Sequence, residues 1–343
     1  MSFRTTLLLP VSLSNPLPCG IAPKIALDLF APDPARLASP VRVMFCLPGG
    51  GMNRQYFNLV LDDDKSYSFG EFMAAQGDIV VAIDPLGVGE STRPLDGFAL
   101  APELLAEANV SVIEQVLSGL RSGTLIEGWP KLPELISIGI AHSVGSMMTI
   151  MQQVAYDCFD GVALCGFSTN GLPPALKPAE KQYAGRTKEA RAVLAELARA
   201  RYETPYPEPA GTQQGRDLFT RARADRKGVE ALAPARDRML VLAATLSIIP
   251  GNIAPECAEV DVPVFLALGD LDFCGPPHEI PASFPKSPDI TLVILPETGH
   301  THFIFPSRMK LFGRLCDWAR TAVTARPARA VREVAEPARL GVS

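Results

Sequence analysis

The stretch IGIAHSVGSMM, residues 138–148, decides how this chain folds. Its first half completes the apolar run ELISIGIA, which predicts a buried β-strand, and its second half opens the helical pattern VGSMMTIMQQVA. Ser143 stands at the junction, on a turn that requires small residues two positions before and after it, here Ala141 and Gly145. About one serine in fourteen has glycine at that spacing by chance, so the strand–turn–helix context carries the inference. Ser143 is therefore a candidate nucleophile, with an ordinary turn serine as the alternative.

Buried strands and helices alternate on both sides of this stretch. The predicted strands are residues 77–84, 134–141, 159–167, 262–270 and 289–297, with three more in the first 50 residues and a helix over 102–120. Strands that are apolar along their whole length and separated by helices are typical of a parallel sheet covered on both faces. The sequence therefore predicts the α/β class, with a mostly parallel central sheet flanked by helices.

The strand pattern is interrupted between about residues 170 and 260. Three segments there are helical by composition and spacing: 180–203, 215–232 and 236–248. We interpret 170–260 as a helical cap inserted into one core, formed by residues 1–169 and 261–324. A second independent domain is less favoured, because strand patterns continue on both sides.

The C-terminal part of the chain begins with a last predicted helix over about 307–322. It places Leu311, Leu315 and Trp318 on one face, as a helix that covers the sheet should. Residues 325–343 are rich in Ala, Arg and Pro, and we expect them to form a flexible tail.

The composition of the chain limits the classes of binding partner that it can have. The chain has 343 residues, of which 47% are hydrophobic, so it can bury a substantial core. Its net charge is -5 and it has no dense block of Lys and Arg, which argues against nucleic acid or an anionic membrane as a partner. No run approaches the ~20 apolar residues that a membrane span needs. We expect a small-molecule partner, and a homo-oligomer is left open.

The cysteines indicate whether the chain has a metal site, and the N-terminus indicates where in the cell the protein is located. The seven cysteines are Cys19, Cys46, Cys158, Cys165, Cys257, Cys274 and Cys316. They lack CxxC pairs and His/Cys ligand spacing, so we expect reduced thiols, no metal site and no cofactor. The apolar run near the N-terminus is short and broken by Pro10, which makes a poor signal peptide and favours a cytoplasmic protein.

Four histidines, His142, His278, His300 and His302, are candidates for the base that a serine nucleophile needs. His300 follows the last predicted strand, where open α/β sheets gather their active-site groups, and is the first choice. His302 is the fallback and His278 is less favoured. His142 neighbours Ser143 on a sharp turn, so its side chain should point elsewhere. A solvated loop histidine is the alternative for His300.

Two carboxylates and three glycines are further candidates for an active site that contains Ser143. An imidazolium needs a carboxylate to orient and stabilise it, and Asp270 and Asp272 follow the preceding strand. Asp270 adjoins Gly269 and is interpreted as the turn former, which makes Asp272 the candidate acid. The glycines of PGGG, residues 48–51, follow the third strand and let backbone N–H groups approach a substrate oxygen closely. The alternative for this segment is a flexible turn.

These features together resemble the α/β-hydrolase fold superfamily over about residues 40–320. The order Ser143, Asp272, His300 is similar to the order in that family, and so are the GDLD turn, the TGH loop and the cap between strands six and seven. DPLGVGES, residues 84–91, resembles the family turn D-x-x-G-x-G-x-S, in which Asp84 would be structural. The elbow departs from the usual G-x-S-x-G at Ala141, and no histidine precedes the glycines.

The resemblance implies a serine hydrolase that cleaves a carboxylic ester or lactone through an acyl-enzyme. Ser143 would be the nucleophile, His300 the base and Asp272 the acid. The N–H groups of Gly50, Gly51 and Val144 would form the oxyanion hole, although which glycine N–H points inward is left open.

The substrate and the exact reaction are left open. The apolar segment MLVLAATLSIIPGNI would line a pocket for an apolar small molecule, or form the core of the cap. Asn53, Arg54 and Tyr56 could contact a carboxylate on a substrate, or cap the following helix. Carbon–carbon bond hydrolysis and ligand binding without turnover are alternatives, whereas epoxide and haloalkane hydrolysis are disfavoured because those relatives carry Asp at the elbow.

Overall fold

An eight-stranded sheet forms the centre of the protein. The computed structural model describes residues 3–17, 20, 22–37, 39–209 and 223–326. The strands are β1 (Phe3–Pro10), β2 (Lys24–Ala31), β3 (Val41–Leu47), β4 (Ile79–Ile83), β5 (Leu135–His142), β6 (Gly161–Cys165), β7 (Val264–Gly269) and β8 (Ile290–Leu295). They lie in the order β1-β2-β4-β3-β5-β6-β7-β8. β2 pairs antiparallel with β1 and β4, and the remaining pairs are parallel. The predicted mostly parallel sheet is confirmed.

Helices cover both faces of this sheet. They are α1 (Phe69–Ala75), α2 (Pro102–Ser122), α3 (Val144–Tyr156), α4 (Pro178–Lys181), α5 (Thr187–Ala192), α6 (Leu194–Arg201), α7 (Arg226–Ala231), α8 (Val241–Ile248), α9 (Ala254–Glu259) and α10 (Arg308–Thr321). In β3, Val43 and Phe45 pack with α2 and α3, whereas Met44 and Cys46 pack with α1 and α10. Alternate residues of the strand thus enter two cores, which explains its continuous apolar run. None of the described helices combines the length and apolarity needed to cross a membrane.

Helices α4 to α9 lie between β6 and β7, where the sequence predicts a cap. The predicted helical segment 180–203 is divided into three helices, with breaks at Gly185 and at Val193. Gly185 has φ +72° and donates its N–H to the carbonyl of Pro250. The segment 236–248 is helical only from Val241, the first residue of α8. Residues 210–222 lie outside the described part of the chain, so the division into core and cap stays a prediction.

The last described helix, α10, contains buried Leu311, Leu315 and Trp318, as its sequence pattern predicts. The predicted tail lies outside the described residues from 327 onwards.

The sheet positions the candidate site through its parallel strands. The carboxyl ends of β3, β5, β7 and β8 lie along one edge, where active sites of open α/β sheets form. The loops that follow these four strands carry the glycines 49–51, Ser143, Asp272 and His300, respectively. Residues that are far apart in sequence thereby meet at one edge of the sheet.

Candidate active site

Ser143 lies on a sharp turn between β5 and α3. Its backbone has φ 53° and ψ -118°, a conformation that residues other than glycine rarely adopt. The Ser143 N–H donates to the carbonyl of Cys165 at 2.8 Å, which fixes the turn against the end of β6. The side chain therefore projects from the carboxyl edge of the sheet.

The residues two before and two after Ser143 must fit against β3. A Cβ atom on Gly145 would lie 2.4 Å from the carbonyl oxygen of Leu47 and 2.5 Å from that of Pro48, so only glycine fits. Ala141 pairs with Leu47 on β3 and Leu164 on β6 and is 1% exposed. Its extra methyl group packs in the core, so the alanine departure from the usual motif is accommodated without displacing the turn.

The structure brings Ser143, His300 and Asp272 into one hydrogen-bonded chain. His300 Nε2 lies 2.8 Å from Ser143 Oγ, and His300 Nδ1 lies 2.9 Å from Asp272 Oδ1. The His300 and Asp272 side chains are 1% and 2% exposed. Because a carboxylate only accepts, Nδ1 carries the proton and Nε2 is the acceptor for the Ser143 hydroxyl. This geometry can transfer the serine proton to the imidazole.

Asp272 accepts two further hydrogen bonds inside the protein. The Cys274 N–H donates to Oδ1 at 3.2 Å, and His302 Nε2 lies 3.2 Å from Oδ2. Burial alone would raise the pKa of Asp272, but the charge and hydrogen bond of His300 and the hydrogen bond of His302 hold it well below its usual value. Asp270 instead accepts the N–H of Thr298 at 3.1 Å, which fixes the loop that leads to His300.

The other histidines occupy three different positions. His142 Nε2 lies 2.8 Å from the carbonyl oxygen of His300, so it supports the backbone of the candidate base. Burial, and then the charges of His300 and His302, lower the pKa of His142 well below its ordinary value. His302 points at Asp272, and His278 is exposed on the 3₁₀ helix Pro277–Ser283.

The glycine loop after β3 lies beside the first residue of α3. A Cβ atom on Gly50 would lie 3.2 Å from Val144 Cγ2, and one on Gly49 would lie 2.5 Å from His142 Nδ1. Within the described chain, the N–H groups of Gly50, Gly51 and Val144 donate to no protein acceptor. The Val144 N–H is also at a helix N-terminus, where the helix offers it no partner. These three N–H groups therefore stay candidates for the oxyanion hole.

A small apolar cavity of about 20 Å³ adjoins these glycines. Its lining includes Val88, Met148, Leu240 and Val144, and Arg238 from the segment before α8. A cavity of this size holds about one water molecule.

Two residues near His300 were not identified from the sequence. Gly166 has φ +63°, and a Cβ atom there would lie 3.0 Å from two atoms of the His300 ring and 3.3 Å from Asp272 Oδ2. The Phe273 ring also packs against the His300 ring, with the two ring centroids 4.1 Å apart. The only sequence signal for Gly166 is a glycine directly after a buried strand, which is too common to indicate a site.

The residues after the glycine loop turn into the protein. Asn53 Oδ1 accepts the N–H of Gln55 and caps the 3₁₀ helix Arg54–Asn58. Tyr56 is fully buried and stacks on Phe303, with ring centroids 4.7 Å apart. Asn53 therefore caps the following helix, which is one of the two roles that the sequence leaves open for it. Tyr56 is a core residue.

Arg54 is surrounded by carboxylates of the protein itself. Its backbone N–H donates to Asp84 Oδ1 at 2.7 Å, and its guanidinium pairs with Asp84, with Glu90 and, at 3.0 Å, with Asp28. These contacts occupy the guanidinium, so the structure gives Arg54 a role inside the protein and not towards a substrate carboxylate.

The sheet order, the turn after β5 and the helices between β6 and β7 define an α/β-hydrolase fold. Residues 44–312 match the alpha/beta hydrolase family, and the chain belongs to that family. No curated protein matches the sequence significantly.

Solved structures share this fold at low sequence identity. DcsB, solved in complex with a substrate analogue, is 14% identical to this chain with a TM-score of 0.61. The superposition covers 94% of this chain and 100% of the DcsB chain. A thermophilic esterase from Thermogutta terrifontis is 14% identical with a TM-score of 0.55, covering 93% and 100%. An N-acyl homoserine lactone degrading enzyme is 16% identical with a TM-score of 0.54, covering 90% and 98%. At these identities the similarity extends to the fold alone.

Proposed function

We propose that this protein is a serine hydrolase that cleaves a carboxylic ester or lactone of an apolar small molecule through an acyl-enzyme. The observation that carries the proposal is the chain of hydrogen bonds from Ser143 Oγ through His300 to buried Asp272. A serine hydroxyl becomes a competent nucleophile when an adjacent base removes its proton.

In the first half of the reaction, His300 Nε2 takes the proton of Ser143 while Oγ attacks the substrate carbonyl carbon. The imidazolium that forms is stabilised by ionised Asp272. The carbonyl oxygen becomes negative and accepts hydrogen bonds from the N–H of Val144 and from Gly50 or Gly51. Each such donor contributes roughly 10²–10³ in turnover.

In the second half, His300 gives its proton to the departing alcohol oxygen, which leaves Ser143 acylated. A water molecule then loses a proton to His300 and attacks the acyl carbon. The Ser143–acyl bond breaks, Oγ recovers its proton from His300, and the acid is released. In a lactone the alcohol and the acid are parts of one product.

Two observations support the apolar ester and lactone class. The cavity beside the candidate oxyanion hole is lined by the apolar side chains of Val88, Met148 and Leu240. The similar structures include an esterase and a lactone-degrading enzyme. Both substrates share the carbonyl–oxygen bond that the proposed reaction breaks.

Labelling with a fluorophosphonate probe followed by peptide mapping tests the proposal. We expect one modified residue, Ser143, in the folded protein, with no label in Ser143→Ala or after denaturation. An unlabelled Ser143 in folded protein would reject the enzyme and favour a ligand-binding protein.

A substrate panel then tests the bond that is cleaved. We expect turnover of chromogenic esters of graded acyl length or of macrocyclic lactones, and its loss in Ser143→Ala. A labelled Ser143 with no turnover of any ester or lactone, together with cleavage of a β-diketone, would replace ester hydrolysis by carbon–carbon bond hydrolysis.

A further inference from the structure

His302 is a buried histidine for which the proposed reaction has no step. Its side chain is 0% exposed, and its Nε2 lies 3.2 Å from Asp272 Oδ2. Its Nδ1 is buried and has no hydrogen-bond partner among the described residues. One ring nitrogen of His302 therefore contacts the candidate acid, and the other makes no hydrogen bond within the described chain.

These contacts fix the proton on the His302 ring. An ionised carboxylate only accepts hydrogen bonds, so Nε2 must carry a hydrogen. A second proton on Nδ1 would create a buried donor with no acceptor, which costs free energy. The contact geometry thus requires neutral His302 with its hydrogen on Nε2, and burial, which lowers the pKa of His302, acts in the same direction.

The two oxygens of Asp272 have different partners. Oδ1 accepts from His300 Nδ1 at 2.9 Å and from the Cys274 N–H at 3.2 Å, whereas Oδ2 faces His302. Rotation of the carboxylate about its bond to Cβ would move Oδ1 away from His300. A donor on Oδ2 opposes that rotation.

We propose that His302 is a positioning residue for the acid of the triad: its Nε2–H holds Asp272 Oδ2 so that Oδ1 stays directed at His300. This inference rests on the proposed function. His142 has a different role, because its Nε2 contacts the backbone carbonyl of His300 and not the carboxylate. His302 is thus the second imidazole on the same acid, and it acts without contacting Ser143.

Variants at His302 separate a donor from a space-filling group. His302→Gln retains an N–H donor at a similar distance from the backbone, and His302→Leu removes it. We expect His302→Leu to lower kcat roughly tenfold to a hundredfold with KM nearly unchanged, because a hydrogen bond to a charged group is lost. His302→Gln should restore most of that loss. Equal losses in the two variants would overturn the proposal, and exposed His278→Gln is the matched control with unchanged kcat.

A double-mutant cycle with Asp272→Asn tests whether His302 acts through the acid. If it does, His302→Leu should cause little further loss of kcat in the Asp272→Asn background, because the group that it positions is already removed. Independent, multiplicative losses would show a general structural role and overturn the proposal.

Nitrogen-15 NMR of histidine-labelled full-length protein tests the contact without turnover. With four histidines in the chain, His302 can be assigned from the signal that is missing in His302→Gln. We expect a neutral ring with its hydrogen on Nε2 at pH 7; a hydrogen on Nδ1 would overturn the proposal even in an active enzyme. Failure of the phosphonate to label Ser143 would instead reject the hydrolase while the NMR result stands.

Discussion

Gly166 shows how strongly the candidate site depends on a residue that does no chemistry. A Cβ atom at this position would lie 3.0 Å from two atoms of the His300 ring, closer than ordinary packing allows, and the backbone has φ +63°. Gly166→Ala should therefore lower the free energy of unfolding by about 1–2 kcal/mol, because alanine is strained in this conformation. It should also lower kcat roughly threefold to tenfold, because the His300 ring has to shift by a few tenths of an ångström and a displacement of about 1 Å in a reacting group can cost 10²-fold. Urea unfolding and steady-state kinetics measure the two effects.

Gly128→Ala is the matched control for Gly166→Ala. Gly128 has φ +77°, and a Cβ atom there would meet nothing within 4 Å. This variant should show a similar loss of stability with no change in kcat. Equal activity of the two variants would contradict the role assigned to the close approach of Gly166 to His300.

The lowered pKa values of His142 and His302 make the stability of the protein depend on pH. Burial lowers the pKa of His142 and of His302 below their ordinary value of 6.5 in the folded protein. Below pH 6.5 the unfolded chain therefore binds more protons than the folded chain, so the free energy of unfolding falls as the pH falls. The slope should reach at most about 1.4 kcal/mol per pH unit for each histidine, until its folded pKa is reached. Urea unfolding between pH 7.5 and 5.5 measures it.

Variants assign this pH dependence to particular histidines. His302→Gln removes one of the two imidazoles whose pKa is lowered by burial and should flatten the slope. His278→Gln should leave it unchanged, because His278 is exposed. Asp272 acts in a separate window, since its lowered pKa contributes stability that is lost only as the pH falls below 3.8. A wild-type slope of zero between pH 6.5 and 5.5 would contradict the prediction.

At the scale of elements, Arg54 joins β2, the loop after β4 and the segment after the glycine loop. Asp28 and Asp84, its partners from the first two, have side chains 1% and 0% exposed. Arg54→Met fills similar space but leaves buried Asp84 without its cation, whereas Asp28 keeps its ion pair with Arg4 at 2.8 Å. It should lower the free energy of unfolding by about 3–5 kcal/mol, measured in urea.

Two variants serve as comparisons for the stability loss in Arg54→Met: Arg54→Lys, which keeps a cation, and Arg226→Ala, which breaks an ion pair on the surface. Arg54→Lys should recover only part of the loss, because an ammonium cannot reproduce the planar set of donors that reaches several carboxylates. Arg226→Ala breaks the exposed pair with Glu230 and should change stability by less than about 0.5 kcal/mol. Similar effects of Arg54→Met and Arg226→Ala would contradict the prediction.

The elements that the sequence predicts well are those with a strong local pattern. The apolar run before Ser143 and the helical pattern after it indicate β5 and α3, and the loop after the last strand points to His300. The predicted positions of Asp272 and of the glycine loop follow from strand ends in the same way. The periodicity of apolar residues is sufficient to predict these strands and helices, because the buried faces of each element determine which of its residues are apolar.

The features that the sequence does not predict depend on contacts between distant segments. The placement of β2 beside β4 joins strands separated by β3 in sequence. Gly166 matters only because the loop after β8 passes over the end of β6, and His302 matters because the loop after β7 turns Asp272 towards it. Gly185 and the late start of α8 divide the helical segments at positions that spacing alone does not indicate.

At the scale of the whole molecule, the segment before α8 is joined to the glycine loop through the backbone. The Asn53 N–H donates to the carbonyl of Ala235 and the Asp237 N–H donates to that of Gly51, each at 2.8 Å, around the antiparallel bridge between Met52 and Arg236. The cavity beside the glycine loop, about 20 Å³ in volume, is lined in part by Met52 and Arg238 from these two joined segments. We therefore expect the bridge to open when a substrate enters.

A disulfide across that bridge tests whether opening is needed for turnover. Directly opposed residues of an antiparallel pair have Cα atoms about 4.5–5.5 Å apart, within the range that a disulfide spans. The variant Met52→Cys with Arg236→Cys should therefore lose most activity towards esters when oxidised and regain it on reduction, while each single variant stays active under both conditions. The oxidised form should also have a higher thermal midpoint, because the cross-link closes a loop of almost two hundred residues. Full activity of the oxidised form would show that substrate reaches Ser143 without separating the segment from the glycine loop.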